Sequence, residues 1–453
     1  MNLVLLNPVT KNRVRVLRVE RCQQKILSVV GIWPPITFLE IVAKLKIKDL
    51  GHIAVIDGET EGLSFDALIE RVVMKSPDLV VIQSTTPTIE DDILFSSLLK
   101  ARKPLLKTIF IGLPATTMTD WLLNYAAVDY AILGEPADTV CDLIEYLSGG
   151  KINLSEILGL GYKCNEQVFI NQRRPAMDNY DYTVFPDRSI LDNGKYRLSL
   201  ISKQFTVIRT SRGCDSACSF CTSRAYYGPG WRPRSVENII QEIRQVKGKQ
   251  GIDSFLFLSD TFNGKKEFVK ELTAAIISQG LDIQWVSNSR LDLLDEESVS
   301  LMKKSGCLLI SLGIETFQED ILEKNKKFLK LEDIYRGINL LKRYGILTYG
   351  YFIFGLEGET RLSIWKTILR AVCSKLDFAI FYSLTPYPGT DYFQKYKNKN
   401  WKDYFHGTSN IVSYKHLSSL EIKIYKYAGL FLFYIRPRRL LLLAKYLLKR
   451  KLI

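Results

Sequence analysis

Residues 211–224 read SRGCDSACSFCTSR and hold three of the chain's eight cysteines. The spacing is C-x3-C-x2-C, formed by Cys214, Cys218 and Cys221. A structural zinc site takes four ligands, and this stretch offers neither a second C-x-x-C pair nor a neighbouring histidine as the fourth. A [4Fe–4S] cluster bound by three thiolates leaves one iron open to another ligand. The stretch therefore predicts a three-cysteine iron–sulfur site.

The cysteines directly follow the first of six apolar segments that alternate with amphipathic helical patterns. Such alternation is typical of βαβ units, and six units predict a parallel sheet curved towards a barrel. Residues that follow its strands meet at the carboxyl-end rim, so we expect the cysteines there. This predicted barrel covers residues 204–390, and its strands span 205–211, 254–260, 283–289, 308–316, 348–355 and 377–386.

A second alternating pattern fills residues 1–148 and predicts a doubly wound α/β domain. Such a sheet binds ligands at the carboxyl ends of its strands. The turn residues there are either ligand contacts or ordinary turns, and no G-x-G-x-x-G motif favours a dinucleotide. The candidate contacts are Ser84, Thr85, Gly112, Gly134 and Glu135, after strands predicted at 2–8, 52–57, 79–85, 108–114 and 128–135.

The remaining segments are a linker and a basic tail. Residues 149–203 show no clear period and predict a linker with a hairpin at 161–172. Residues 391–453 carry 14 lysines and arginines against three acidic residues, and their longest uncharged apolar run, YAGLFLFYI (427–435), has nine residues, too few to span a bilayer. The tail predicts either helices at an anionic membrane surface or a helix docked on the barrel with a solvated basic face. Its last basic residues are Arg436, Arg438, Arg439, Lys445, Lys449, Arg450 and Lys451.

Composition excludes several classes of protein. The 453 residues are 47% hydrophobic and 24% charged, which is typical of globular domains. Eight unevenly spaced cysteines do not resemble the framework of a secreted disulfide protein. The short apolar run that Pro8 ends has no basic region before it, which predicts a strand rather than a signal peptide. We therefore expect a cytoplasmic protein with no nucleic-acid partner. The membrane-surface alternative for the tail would also place the protein peripherally at the inner face of the membrane.

The cysteine motif, with Phe220 before its last cysteine, resembles the signature of radical S-adenosylmethionine (SAM) enzymes. Five later segments resemble recurring segments of that family in the same order. The resemblance implies a partial (β/α)6 barrel, a [4Fe–4S] cluster, and cleavage of SAM to a 5′-deoxyadenosyl radical with an electron from flavodoxin or ferredoxin. The segments are RPRSVENIIQEI (232–243), SDTFN (259–263), SGCLLISLGIET (305–316), FIFGLEGET (352–360) and TPYPGTDYF (385–393).

The same resemblance implies roles for single residues. Phe220 flanks the adenine, and Glu315 resembles the family's SAM-contacting carboxylate, with a solvated strand-end charge as its alternative. Asp260 faces either SAM or the substrate. Tyr351 departs from the family pattern, because the adenine-packing segment usually has its first glycine there. The other candidate SAM contacts are Ser287, Asn288, Arg290, Ile353 and Gly355, and plain strand-end polarity is the alternative for the first three.

Residues 34–57, 76–88, 109–120 and 128–147 resemble the cobalamin-binding domain that precedes the barrel in many radical SAM enzymes. No D-x-H-x-x-G motif supplies an axial histidine, and His52 begins a predicted strand. The resemblance implies cobalamin bound without a histidine ligand, or a domain that is kept only as a scaffold.

Together these resemblances predict an α/β enzyme with a Rossmann-like cobalamin-binding domain, a radical SAM barrel and a basic helical tail. They imply methylation of an unactivated carbon of a hydrophobic, lipid-like substrate. Cyclisation, rearrangement or oxidation without methyl transfer is the first alternative, and a non-catalytic iron–sulfur protein is the second.

Overall fold

The computed structural model describes residues 1–21, 31–47, 52–177, 180–198, 203–396, 400–405, 409 and 411–451. Two sheets of parallel strands organise these residues, one in each half of the chain. The predicted α/β architecture, a Rossmann-like domain followed by a barrel and a helical tail, is confirmed.

The first sheet has seven strands in the order β2-β1-β3-β4-β5-β6-β7. Its first five members are parallel, and their nearly continuous apolar runs fit strands covered on both faces. The hairpin expected in the linker is present as β6 and β7, but it extends this sheet through antiparallel pairing with β5. The first unit therefore reaches beyond residue 148. The strands are β1 (Asn2–Asn7), β2 (His52–Asp57), β3 (Leu79–Gln83), β4 (Lys107–Ile111), β5 (Tyr130–Ile132), β6 (Leu160–Cys164) and β7 (Gln167–Ile170).

Helices cover both faces of this sheet, as a doubly wound fold requires. Leu68 and Phe95 pack in the core on one face, and Ile41 and Leu143 pack in the core on the other. The helices are α1 (Ile36–Ile47), α2 (Gly58–Glu61), α3 (Phe65–Val73), α4 (Ile89–Arg102), α5 (Leu113–Thr117), α6 (Thr119–Leu123) and α7 (Pro136–Leu147).

The second sheet has six parallel strands in the order β10-β13-β14-β15-β16-β17, which is the order of the chain. Each strand pairs with the next one along the sequence, as in an open (β/α)6 barrel. Two short ribbons, β8 with β9 and β11 with β12, flank its first strand. The strands are β8 (Arg197–Leu198), β9 (Lys203–Gln204), β10 (Thr206–Arg209), β11 (Ser211–Arg212), β12 (Arg232–Pro233), β13 (Ser254–Leu258), β14 (Gln284–Ser289), β15 (Cys307–Glu315), β16 (Leu347–Phe354) and β17 (Phe378–Ser383).

Helices enclose the outer face of the barrel, and the buried Trp285 stacks on Phe257 in the core between them and the strands. Helix α16 contributes Ile422 and Phe433 to the same core. The helices are α8 (Ser223–Tyr227), α9 (Val236–Gln250), α10 (Lys266–Ser278), α11 (Glu296–Lys304), α12 (Glu319–Lys324), α13 (Leu331–Arg343), α14 (Arg361–Cys373), α15 (Asp391–Lys395), α16 (Ser419–Tyr434) and α17 (Pro437–Lys451).

The tail is helical, and α16 is docked on the barrel. The Tyr434 hydroxyl donates to the carbonyl of Ala379 on β17 at 2.9 Å. Arg439 is not a surface charge as the sequence suggested, because it is 6% exposed and bonds to backbone carbonyls after α14. The side chains of Lys449, Arg450 and Lys451 lie outside the described residues. Within the described residues, no helix combines the length and apolarity needed to cross a bilayer.

Candidate active site

The cysteine loop leaves β10 and β11 at the carboxyl-end rim of the barrel. Gly213 precedes the first cysteine with φ +71°, and a Cβ there would lie 2.3 Å from a carbonyl oxygen of the neighbouring turn, so only glycine fits. The backbone N–H groups of Ser216 and Ser223 point to Cys214 Sγ at 3.4 Å and Cys221 Sγ at 3.5 Å. The loop therefore fixes the sulfur atoms through its own backbone.

Cys214, Cys218 and Cys221 line one cavity of about 310 Å³ and form no disulfide. Burial raises the pKa of Cys218 to about 11 and also raises that of Cys221, so thiolates there need a nearby cation. Across the described part of the chain, no three His, Cys, Asp or Glu side chains form a group that could hold a metal ion. An iron–sulfur cubane fits the cavity nevertheless, because each thiolate binds a separate iron.

Glu315 enters the same cavity from the end of β15. The pairing of β15 with β16 slips between Gly313 and Glu315, and Glu315 has φ +65°, which non-glycine residues rarely adopt. Such a bulge redirects the side chain at the end of a strand. Lys327, which the sequence analysis missed, pairs with the Glu315 carboxylate at 2.7 Å, and both residues are 7% exposed. The carboxylate is therefore buried and paired rather than solvated.

The cavity is also lined by Asp260, Asn288 and Arg290. Each of these side chains makes hydrogen bonds to other residues of the protein. The Asp260 carboxylate accepts a hydrogen bond from the Gly213 N–H at 3.0 Å and pairs with Arg21, so it anchors the cysteine loop. The Asn288 amide donates to the backbone carbonyl of Asp260 at 3.0 Å. The Arg290 guanidinium is held by an aspartate two residues later and by a hydroxyl of the cysteine loop.

Two predicted SAM contacts, Ser287 and Gly355, do not line the cavity. The buried Ser287 hydroxyl donates to the Phe257 carbonyl at 2.7 Å, and the Gly355 N–H donates to the Glu359 carboxylate at 2.6 Å. Ser289 lies two residues nearer the rim and does line the cavity. Its hydroxyl is buried without a hydrogen-bond partner among the described residues. Ser289 therefore replaces Ser287 as the candidate hydroxyl ligand on β14. Gly355 has a structural role, because its N–H stabilises the turn after β16.

The rest of the cavity wall is apolar and aromatic. Phe220 and Ile353 line it and belong to one apolar cluster. Tyr351 and Tyr382 line it from adjacent strands and stack with their ring centroids 6.2 Å apart. Tyr387, which follows the end of β17, also lines the cavity. Burial raises the pKa of Tyr382 well above its ordinary value, so its phenol stays neutral. Strand alternation on β16 and β17 was the signal that could have identified these tyrosines.

The candidate ligand contacts of the first domain lie at the carboxyl edge of its sheet, as predicted. Some of them are packed within the fold, and one lines a cavity. Ser84 and Thr85 are buried, and both hydroxyls bond within the fold. Gly112 has φ +103°, and a Cβ there would lie 2.4 Å from the Ser84 carbonyl oxygen. Gly134 and Glu135 follow β5, and Glu135 lines a second cavity of about 630 Å³ between this domain and the barrel. Glu135 is thus the candidate that opens onto a ligand-sized space.

Known proteins resemble the chain in sequence and in fold. Residues 208–371 match the family model of the radical SAM superfamily. An uncharacterized methyltransferase of Pyrococcus horikoshii is 31% identical over 92% of this chain and 92% of its own. The anaerobic magnesium-protoporphyrin IX monomethyl ester cyclase of Rubrivivax gelatinosus is 29% identical over 82% of this chain and 68% of the cyclase. The radical S-adenosylmethionine methyltransferase TsrM of Kitasatospora setae, solved with cobalamin and a [4Fe–4S] cluster bound, has a TM-score of 0.67 at 17% identity and covers 86% of this chain and 73% of TsrM.

The family model covers the barrel from its first strand through α14, and the Pyrococcus relative extends the likeness to nearly the whole chain. The fold of TsrM matches both the first domain and the barrel. The chain therefore belongs to the radical SAM superfamily, as an enzyme in which a Rossmann-like domain precedes the barrel.

Proposed function

We propose that the chain is a cobalamin-dependent radical SAM methyltransferase that acts on an unactivated carbon of a hydrophobic, lipid-like substrate. The observation that carries the proposal is the cavity at the barrel rim, which joins three thiols, a buried Glu–Lys pair and an aromatic wall. The names of the Pyrococcus relative and of TsrM support methyl transfer.

The first domain suits cobalamin without an axial histidine. Its strand order β2-β1-β3-β4-β5 is that of flavodoxin-like sheets, which bind a cofactor at the carboxyl edge. His52 is exposed at the start of β2, on the opposite edge, and His416 contacts the Glu359 carbonyl at 2.8 Å. His406 lies outside the described residues, so no described histidine occupies the carboxyl edge. The second cavity adjoins this edge at Glu135.

When bound, the cluster and SAM supply a 5′-deoxyadenosyl radical, and cobalamin supplies a transferable methyl group. The chain's own residues hold and orient these groups. Cys214, Cys218 and Cys221 hold the cluster, and a flavodoxin or ferredoxin delivers the electron. Lys327 fixes the Glu315 carboxylate in place through their ion pair, and the Ser289 hydroxyl, which has no partner among the described residues, is the candidate contact for a polar group of SAM.

The aromatic wall positions the substrate. Tyr351, Tyr382 and Tyr387 border the cavity with Leu384, so a substrate that displaces water there covers apolar surface. The neutral Tyr382 phenol adds a hydrogen-bonding group without bringing a charge next to a radical. This composition favours a hydrophobic substrate with a few polar groups.

The name of the Rubrivivax relative specifies a ring closure, so cyclisation with the same cofactors is the second candidate. Anaerobic reconstitution with iron, sulfide, cobalamin, methyl-deuterated SAM and reduced flavodoxin as the electron donor, in the presence of a bacterial lipid extract, separates the two. We expect S-adenosylhomocysteine, 5′-deoxyadenosine and a deuterated lipid by mass spectrometry. Deoxyadenosine without S-adenosylhomocysteine or deuterated product would instead support the cyclase.

A matched pair of cysteine variants completes the experiment. Cys218→Ala should lose the cluster absorbance and both nucleoside products, whereas Cys373→Ala, at an exposed thiol on α14, should keep them. An intact cluster that never cleaves SAM would point to the non-catalytic iron–sulfur protein.

A further inference from the structure

Helix α16 exposes a continuous apolar stripe. Its members are spaced by three or four residues, which places them on one helix face. They are Leu420 (65% exposed), Ile424 (57%), Tyr427 (52%), Phe431 (66%) and Ile435 (56%). A surface helix normally carries polar side chains on the face that lies opposite its core.

The opposite face of α16 already makes the contacts that hold the helix to the barrel. Ile422, Gly429 and Phe433 are buried there, and Gly429 packs against the ring of Phe381 on β17. Packing within the described chain therefore explains the buried face and leaves the exposed stripe without a role.

The neighbouring helices continue the apolar surface. Helix α14 packs beside α16, and Trp365 meets Tyr425 edge-on with ring centroids 5.5 Å apart. On α14, Leu362 is 63% exposed and Leu369 is 55% exposed. The patch thus spans two adjacent helices, and α17 extends it with Leu440 and Leu441. An exposed apolar patch of this extent marks a binding surface.

The charges around the patch are almost all positive. Glu421 is the single acidic residue in α14, α16 and α17, and it is paired with Arg361 at 2.6 Å. The basic residues at the patch are exposed: Lys366, Lys415, Arg436, Arg438 and Lys445. A protein partner would have to match an apolar strip with a strongly acidic border, whereas an anionic bilayer presents both features at once.

We propose that the apolar–basic face of α14, α16 and α17 docks the protein on a bilayer that contains anionic phospholipids. The apolar side chains enter the interfacial region, and the lysines and arginines contact the headgroups. The Ile422 end of α16 lies beside Gly355 at the carboxyl-end rim, so the docked face begins next to the rim that carries the cavity. The face is separate from the cavity residues, so the proposal holds whichever reaction the enzyme catalyses.

Co-sedimentation of the full-length protein with vesicles tests this. We expect binding to phosphatidylcholine vesicles that contain phosphatidylglycerol, weaker binding to phosphatidylcholine alone, and release by high salt. The double variant Ile424→Ser/Phe431→Ser should weaken binding by roughly tenfold or more, because each side chain loses its burial in the interface. Leu105→Ser, at a side chain that is 92% exposed in the first domain, is the matched control and should bind as wild type.

A charge variant and two fold controls complete the test. Arg436→Glu/Arg438→Glu should abolish the preference for anionic vesicles. Circular dichroism and the reconstituted cluster absorbance must match wild type in every variant that loses binding. The proposal would be overturned if the wild-type protein does not co-sediment with anionic vesicles, or if the variants bind these vesicles as strongly as wild type does. Wild-type dimers that become monomers on Ile424→Ser/Phe431→Ser, without vesicle binding, would overturn it in favour of self-association.

Discussion

Lys327 illustrates how the cavity depends on single charged residues. The ion pair between Lys327 and Glu315 is buried, so removing the lysine leaves a carboxylate without its partner in a poorly solvated site. We expect Lys327→Met to lower the free energy of unfolding by about 3 kcal/mol in urea titrations without SAM. The double variant Glu315→Gln/Lys327→Met should recover most of that loss, because no charge then remains buried. Equal losses in both variants would show that packing of the lysine, and not the pair, stabilises the site.

Glu359 gives the stability a pH dependence. Its carboxylate accepts the N–H groups of Gly355 at 2.6 Å and Leu356 at 3.1 Å in the turn after β16. Burial raises the pKa of Glu359 from 4.5 to about 8. Between these values the folded state holds a proton that the unfolded state has released, so stability falls as pH rises through this range.

Glu359→Gln should remove that decline, since the amide oxygen still accepts hydrogen bonds and does not ionise. Urea unfolding at the two ends of the range measures the effect. A variant with the same slope as wild type would show that Glu359 is ionised in the fold throughout.

At the scale of elements, Arg439 connects the tail to the barrel. Its guanidinium donates to the carbonyls of Val372 at 3.0 Å, Ser374 at 2.7 Å and Leu376 at 3.1 Å, at the C-terminal end of α14 and just beyond it. These carbonyls lack partners within the helix. We expect Arg439→Ala to cost about 2 kcal/mol of unfolding free energy, because buried acceptors are left unpaired. Arg438→Ala, at the adjacent exposed arginine, is the control and should change stability little.

The elements were predictable where the determining pattern is local. The alternating apolar runs placed strands at 52–57 and 254–260, and the structure has them at His52–Asp57 and Ser254–Leu258. Turn chemistry likewise located the hairpin of β6 and β7, but which sheet it joins depends on pairing with β5, which no local pattern encodes.

In the candidate site, too, the residues set by a local pattern were predictable, and those set by strand pairing were not. The cysteine spacing is local and identified all three thiols, whereas Lys327 lies in a charged run, NKKFLK, that is typical of a solvated segment. Its partner is Glu315, which lies at a bulge in the pairing of β15 with β16, and strand pairing is not encoded near Lys327 in the sequence. Ser287 and Ser289 are both polar residues at the end of β14, and the sequence does not show that the Ser287 hydroxyl bonds to a neighbouring strand whereas Ser289 lines the cavity with its hydroxyl unpaired among the described residues.

At the scale of the whole molecule, a buried set of charges joins the two domains. Arg209 and Arg212 come from the barrel, at the end of β10 and in β11, and they pair with Glu20, Glu40 and Glu135 of the first domain. Arg212 lies two residues before the first cysteine of the cluster loop. The segment from Arg209 to Cys214 therefore carries both the ion pairs between the domains and the first cysteine of the cluster loop.

The buried ion pairs between the domains predict that the folded state loses stability in acid, and that Arg212→Met shifts this loss to higher pH. Burial alone raises the pKa of Glu40, but Arg209 and Arg212 outweigh it and lower the value from 4.5 to about 2. The stabilisation from Glu40 is therefore complete above pH 4.5 and is lost as the pH falls to about 2. Arg212→Met removes a partner of Glu40 and of Glu135, so both carboxylates should take up protons at higher pH.

We expect the acid-unfolding midpoint of Arg212→Met, followed by tryptophan fluorescence, to move to higher pH. Its thermal unfolding at neutral pH should begin to separate into two transitions, because the first domain and the barrel lose the pairs that Arg212 makes with Glu40 and Glu135. Arg244→Met, at an exposed arginine on α9, is the matched control and should keep the wild-type midpoint. An unchanged midpoint with a single transition in Arg212→Met would mean that the Arg209 pairs and the apolar contacts couple the domains without Arg212.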